Sequence, residues 1–330
     1  MQNAGTSCNP PAFSWLLALH IAAFLSSAIT PAADPQPGPI RVGVLGDSFS
    51  DEWGIHVPDA ANWVELLAAA KLVDFGPMES FEPPDPRAVG GRSYRHNFAL
   101  AGANVQHLLR GKSHFTTPAV SLFRAAANGG AFEYGLLEIG GNSVLGSLAH
   151  RRTERNWSLF EPGSTAAKHA IANLAASYTE VLDRAAAGTN VKMILATLCD
   201  LGSMPVATNG IYVPPLDKAA RERLRSNIRV WNERIRALAA ERGYGVMEIW
   251  DWWETIRTEP LQIGEQHVDA EVALTVDGIH PTRIGHALLA NRFLAALAAE
   301  PYEDSRAKPL TPGQMLALFN LDTSPSTVEQ

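Results

Sequence analysis

Residues 40–299 of this 330-residue chain are predicted to form a doubly wound α/β domain, a three-layer sandwich around a mainly parallel sheet of about five strands. Three observations lead there. Short runs rich in β-formers alternate with longer helical patterns. The strand runs are continuously apolar, as strands covered on both faces must be. And 46% of the residues are hydrophobic, enough for a large core.

In order, "IRVGVL" from Ile40 reads as the first strand and "NWVELLAAA" from Asn62 as a helix. A weaker strand, "YRHNFAL", starts at Tyr94, and a buried one, "YGLLEIG", at Tyr134. The long pattern "TAAKHAIANLAASYTEVLDRAAAG" predicts a helix from Thr165, followed by the strand "VKMILATL" and a helix from about Leu216 to Arg242. The strand "YGVMEIW" and a helix beginning near Thr282 complete the domain. Residues 300–330 read as a tail with one short helix, "PGQMLALFNL", and polar sequence beyond it; no internal repeat stands out.

The amino terminus has a different composition. An apolar run from Trp15 to Leu25 precedes small residues that offer cleavage after Ala28 or Ala32, so residues 1–32 read as a signal peptide and residues 33–39 as a proline-rich linker. His20 interrupts the run and no Lys or Arg precedes it, which leaves a retained anchor or a disordered tail as the alternatives. Export to the periplasm or medium is the expectation. Cys8 would leave with the signal, so Cys199 would remain alone, without a disulfide or a zinc site. The net charge of −7 is spread along the chain, with no basic block for nucleic acid or an anionic membrane. A monomer without a stable partner is expected.

In doubly wound sheets ligands bind beyond the carboxyl ends of the strands. Gly46-Asp47-Ser48 follows the first strand, Gly102 the second and Gly141-Asn142 the third; each alone reads more simply as a turn or helix cap. Asp277 and His280, three apart ahead of the last helix, are harder to dismiss. In such a turn the carboxylate reaches one imidazole nitrogen and leaves the other facing outward, the orienter and base of a nucleophilic triad. Serine, aspartate and histidine follow in the order used by strand-end serine nucleophiles on α/β scaffolds.

Together these blocks resemble those of an SGNH, or GDSL-type, serine hydrolase. "GDSFSDEW" is similar to the family's first block, "NFALAGANV" to its second, "GGNSV" to its third and "DGIHPT" to its fifth. The resemblance implies a flavodoxin-like sandwich with Ser48 as nucleophile, His280 as base and Asp277 as its orienter. It also implies an oxyanion hole of the Ser48 and Gly102 N–H groups with the Asn142 amide, and no metal or organic cofactor. The expected reaction is hydrolysis of carboxylic esters, of acetylated carbohydrate or lipid, through an acyl-enzyme. Acyl transfer to a sugar hydroxyl and a non-catalytic carbohydrate-binding module are the alternatives.

Ser143 stands where the family usually has Asp, and Phe49 where its alternative name expects Leu. Asp47 reads as a structural brace. "ATLCDLGSMP" is similar to a cleft-lining segment in relatives, so Asp200 to Pro205 are expected to shape the pocket. His56, His96, His107 and His267 are read as surface or packing residues able to touch substrate, and the insert His150–Ser164, with Trp157 and Phe160, as a loop beside the cleft or pinned by packing.

Overall fold

Ile40–Gly46 (β1) is buried at every residue except Arg41, the pattern of a central strand covered on both faces. A computed structural model of the chain describes residues 38–52, 61–82, 85, 87, 92–111, 117–149, 156–258, 261–263, 266–268, 270–275 and 277–320. The signal-peptide segment, most of the linker, His56, residues 150–155 of the insert and the last ten residues of the tail lie outside the described residues.

After β1 come the helix Trp63–Ala69 (α1), the two-residue strand Val73–Asp74 (β2) and an antiparallel hairpin of Met78–Ser80 (β3) and Arg92–Tyr94 (β4). The helices Val105–Arg110 (α2) and Ala119–Asn128 (α3) lead to Tyr134–Glu138 (β5). Gly141–Ala149 (α4) and Thr165–Ala186 (α5) precede Lys192–Ala196 (β6), and Lys218–Arg242 (α6) precedes Gly245–Met247 (β7). Trp250–Thr258 (α7), a hairpin of Leu261–Ile263 (β8) and Gln266–Val268 (β9), Ala270–Ala273 (α8), Arg283–Ala298 (α9) and Pro312–Phe319 (α10) complete the order. The main sheet runs β2-β1-β5-β6-β7, every neighbouring pair parallel. Helices α1, α7, α8, α9 and α10 pack together as one group, and α2, α3, α5 and α6 as another.

Local chemistry fixes the helix starts. Asn62 and Glu65 form a reciprocal capping box at α1, Ser164 caps α5, Asp217 caps α6 and Thr282 caps α9. The long helix α6 stops at Gly243, in the left-handed conformation (φ +67°).

"YRHNFAL" is not a second strand of the main sheet. Its first residue closes the β3–β4 hairpin, and the edge strand is β2, too short to carry a periodic signal. The rest still runs parallel to β1: Val44 N–H donates to His96 O (2.9 Å), Phe98 N–H to Val44 O (2.8 Å) and Leu100 N–H to Gly46 O (3.1 Å). Buried Asn97 turns its amide inward, donating to Ser50 O (2.7 Å) and to Glu52 (2.9 Å). Glu52 also accepts from the Ser93 hydroxyl and the Tyr94 N–H, and burial pushes its carboxyl up to about 8, with Asp51 adding to the rise.

Packed chain continues past residue 299. Tyr302 donates its hydroxyl to Met193 O, Asp304 accepts from the Tyr134 hydroxyl (2.8 Å), and Arg306 pairs with Asp304 and Glu133. This strap crosses the amino-terminal ends of β5 and β6, on the far edge of the sheet from the residues described next. No helix among the described residues is long and apolar enough to cross a membrane.

Candidate active site

β1 ends at Gly46 and the chain turns at once, with Ser50 N–H and Asp51 N–H both donating to Asp47 O (3.1 and 3.0 Å). That turn sets Ser48 at the carboxyl end of β1. Its Oγ lies 2.8 Å from His280 Nε2, and His280 Nδ1 lies 2.5 Å from Asp277 Oδ2. The three predicted side chains, separated by up to 232 positions in sequence, therefore form one continuous hydrogen-bonded line.

A small hairpin builds the Asp277–His280 end. Thr275 N–H donates to His280 O (2.8 Å), and Thr282 N–H to Ala273 O (2.9 Å). Its tip needs Gly278, both for the positive φ of +74° and because a Cβ there would stand 2.7 Å from Pro205 Cβ. Asp277 is saturated with donors: Oδ1 accepts from the Thr275 hydroxyl (2.7 Å) and from Ile279 and His280 N–H (3.0 Å each). Burial alone would raise its pKa, but the His280 and Thr275 contacts and the two backbone N–H groups hold it well below the usual carboxylate range. It stays an anion, and the geometry leaves Nε2 of His280 facing the serine.

Gly102 and Asn142, the expected oxyanion donors, line the same cavity as Ser48. Gly102 takes φ +69° after the segment beside β1. Its N–H and that of Ser48 make no hydrogen bond to any described residue. Asn142, in the first turn of α4, donates Nδ2 to Asp47 Oδ2 (3.2 Å). Asp47 therefore does more than brace a loop: it also accepts Phe49 N–H (3.2 Å) and orients the Asn142 amide. Beneath it Glu138, at the end of β5, accepts from the Ser50 hydroxyl (3.1 Å). Burial drives both carboxyls upward, Asp47 to about 6, and the Asp47 charge raises Glu138 further. Ser143, in place of the family's Asp, accepts from Val105 N–H at 3.5 Å.

A cavity of about 570 Å³ opens over these residues. Leu198, Leu201 and Ile249, beyond the ends of β6 and β7, and Ile279, beside His280, give its lining apolar side chains, and Gly102, Asn104 and His107 also line it. Of the segment Asp200 to Pro205, only Leu201 reaches the cavity; Asp200 is buried and bound instead by Arg225 Nε (2.6 Å). Among the singled-out histidines, His107 lines the cavity. His96 packs against Phe132, burial lowering its pKa, and His267 lies in β9. Trp157 is buried against Trp231, and Asn227 Nδ2 donates to the carbonyls of Trp157 and Phe160, so packing pins this part of the insert. Among the described residues no cluster of three His, Cys, Asp or Glu side chains could hold a metal ion.

Sequence reasoning missed Tyr212 and Asn209. Tyr212 donates its hydroxyl to Asp277 Oδ2 (3.3 Å) and sets its ring edge-on to His280, 6.3 Å between centroids. Asn209 Nδ2 donates to Asp277 O (2.7 Å), and Val206 N–H to Gly278 O (3.1 Å). The loop after β6 thus grips the Asp277–His280 turn. No local pattern marks it, because the contacts span more than sixty positions.

A sequence profile described as the GDSL-like Lipase/Acylhydrolase family matches residues 44–288. No curated protein matches. Among solved structures, the chain is similar to a GDSL-like lipase from Bacteroides thetaiotaomicron, at 14% identity over 85% of this chain and 94% of that one (TM-score 0.41). It is also similar to a lipase from a goat rumen metagenome, at 14% identity over 78% and 97% (TM-score 0.43). A third is phospholipase A1 from Streptomyces albidoflavus, at 15% identity over 79% and 98% (TM-score 0.40). The profile match runs from β1 into α9 and takes in Ser48, Gly102, Asn142, Asp277 and His280, and the chain belongs to the GDSL-like lipase/acylhydrolase family.

Proposed function

We propose that the protein is a serine ester hydrolase working through Ser48, His280 and Asp277. The observation that carries this reading is the unbroken line from Ser48 Oγ through His280 to an ionised Asp277. As Oγ attacks the ester carbonyl, His280 Nε2 takes the hydroxyl proton, and Asp277 stabilises the imidazolium. The tetrahedral oxyanion is met by the unspent Ser48 and Gly102 N–H groups and the Asn142 amide. Collapse breaks the bond to the alkoxy oxygen, which leaves with the proton from His280. Water then attacks the acyl-enzyme, giving its proton to the same nitrogen, and the acid departs with Ser48 restored.

The apolar wall of Leu198, Leu201 and Ile249 supports an acyl chain longer than acetyl. Each methylene buried there contributes about 0.8 kcal/mol, roughly fourfold in kcat/KM. A fluorophosphonate probe is expected to label Ser48 and nothing else, and p-nitrophenyl esters are expected to be cleaved faster as the chain grows from acetate to octanoate. Full labelling of a Ser48→Ala variant would remove the basis of this reading. We also propose export through residues 1–32; Edman sequencing of protein from its natural host is expected to begin after Ala28 or Ala32, and a soluble protein starting at Met1 would overturn it.

A further inference from the structure

In the segment that runs beside β1, alternate residues donate to the strand: Phe98 N–H to Val44 O (2.8 Å) and Leu100 N–H to Gly46 O (3.1 Å). Two residues further along each chain, the same register would send Gly102 N–H to Ser48 O. That bond is not made, and Gly102 N–H donates to no described residue. The segment leaves the ladder one residue earlier. Ala101 N–H donates to Asp51 Oδ2 (2.7 Å) and Ala103 N–H to Leu100 O (2.9 Å). Between them Gly102 takes φ +69°, a conformation that glycine adopts at little cost.

Asp51 is fixed from the side of the nucleophile. Its N–H donates to Asp47 O (3.0 Å), its carbonyl accepts from Asn62 Nδ2, and its Oδ1 accepts Glu52 N–H (3.0 Å). One side chain thus joins the turn that carries Ser48 to the turn that carries Gly102, and both turns border the same cavity. A carboxylate oxygen is a stronger acceptor than the backbone carbonyl it replaces, so the exchange favours the turn over the ladder.

We propose that Asp51 is a positioning residue of the oxyanion hole: by capturing Ala101 N–H it keeps Gly102 N–H off the ladder and available, beside Ser48 N–H, to the developing charge. The inference rests on the ester-hydrolase reading and adds to it the side chain that sets the spacing of the two backbone donors. Without that side chain the segment extends its register, and Gly102 N–H is spent on Ser48 O.

The test uses p-nitrophenyl octanoate as substrate and octyl trifluoromethyl ketone as inhibitor. Ser48 Oγ adds to the ketone carbon, its proton passes to His280, and the carbonyl oxygen becomes an anion, so Ki for the ketone reads the hole without turnover. In Asp51→Ala, kcat is expected to fall and Ki to rise together by about 10- to 100-fold, the scale of misplacing a donor rather than deleting one. KM is expected to stay within about twofold. Asp304→Ala serves as control: it removes the Tyr134 and Arg306 contacts at the far edge of the sheet, and is expected to lower Tm while leaving kcat and Ki within about twofold. Should Asp51→Ala not fold, Asp51→Asn, with one oxygen left for two N–H groups, is expected to show the same split at about tenfold. Unchanged kcat and Ki in a folded Asp51 variant, or a fall in kcat that Ki does not follow, would overturn the inference; with hydrolysis abolished in Ser48→Ala, the hydrolase reading would stand. Hydrolysis absent from the wild-type protein, or surviving Ser48→Ala, would take both readings down together.

Discussion

Two carboxylates flank Ser48, and the protein treats them in opposite ways. Asp277 collects His280, Tyr212, Thr275 and two backbone N–H groups, and its acidity rises until it is permanently ionised near neutral pH. Asp47 lies deeper, with Phe49 N–H and Asn142 as donors and Glu138 as a neighbour, and its carboxyl is pushed up to about 6. Both are within a few residues of a group that the proposed reaction uses. What separates them is the number of hydrogen-bond donors set against the depth of burial, so residue type alone does not reveal which acid can steady a cation and which can only orient an amide.

The sharpest way to break this contrast is to neutralise each acid in turn. Asp277→Asn is expected to lower kcat by roughly 10⁴-fold, since an amide neither holds the imidazole tautomer nor stabilises its charge. It is also expected to lower Tm at pH 7. An acid whose folded pKa is depressed contributes stability above its unfolded pKa, and that contribution fades as pH falls through the folded value. Measured kcat and a melt at pH 7 and pH 3 check both; the variant's deficit in Tm is expected to shrink at pH 3.

Asn142→Ala comes next, with kcat reduced by about 10²- to 10³-fold and KM little changed, because the amide acts mainly on the developing oxyanion. A cap-like role would instead show as a loss of stability, on the order of 1 kcal/mol, with kcat intact. Asp47→Asn is expected to cost only about tenfold in kcat at pH 8, the scale of a hydrogen bond to a charged acceptor. Its stability is expected to move the other way from Asp277→Asn. With a raised folded pKa, the native state holds its proton longer than the unfolded chain, so stability falls as pH rises from the unfolded value through about 6. Thermal melts at pH 5 and pH 8 are expected to show the variant gaining on the parent at pH 8. A loss in Tm matching that of Asp277→Asn at both pH values would erase the distinction.

Glu52 extends the comparison away from the chemistry. Its carboxyl, raised to about 8, makes the fold less stable as pH climbs from its unfolded value near 4.5 through that point. Glu52→Gln is expected to flatten the fall in Tm between pH 6 and pH 9 and to leave ester hydrolysis within about twofold, since Glu52 touches Ser93, Tyr94 and Asn97 and not the cavity.

Much of this was legible in the sequence, and the reason is local. The strands β1, β5, β6 and β7 announce themselves as apolar runs, and the starts of α1, α5, α6 and α9 carry caps that act within four residues. The candidate residues Ser48, Asn142, Asp277 and His280 were readable as a group because each lies shortly beyond the end of a strand or helix, where the fold delivers side chains to one edge. The edge strand was not: two residues hold no period, while the stronger β pattern of "YRHNFAL" is spent on a hairpin and on the Asn97–Glu52 contact. Nor were Tyr212 and Asn209, or the pairing of Asp47 with Glu138, whose partners are chosen by folding across distant positions.

The close fit of Gly278 against Pro205 and Asn209 bears on how such a protein can diversify. The loop after β6 supplies Leu201 and Tyr212 to the wall of the cavity, and the same loop clamps the turn that carries Asp277 and His280. Drift in this loop is therefore not free: a lineage that reshapes the wall also perturbs the turn that carries Asp277 and His280. Changes in substrate range should accumulate first along the α2, α4 and α5 side, where no such tether to Asp277 exists among the described residues, and the β6 loop should vary only in concert with the turn it holds.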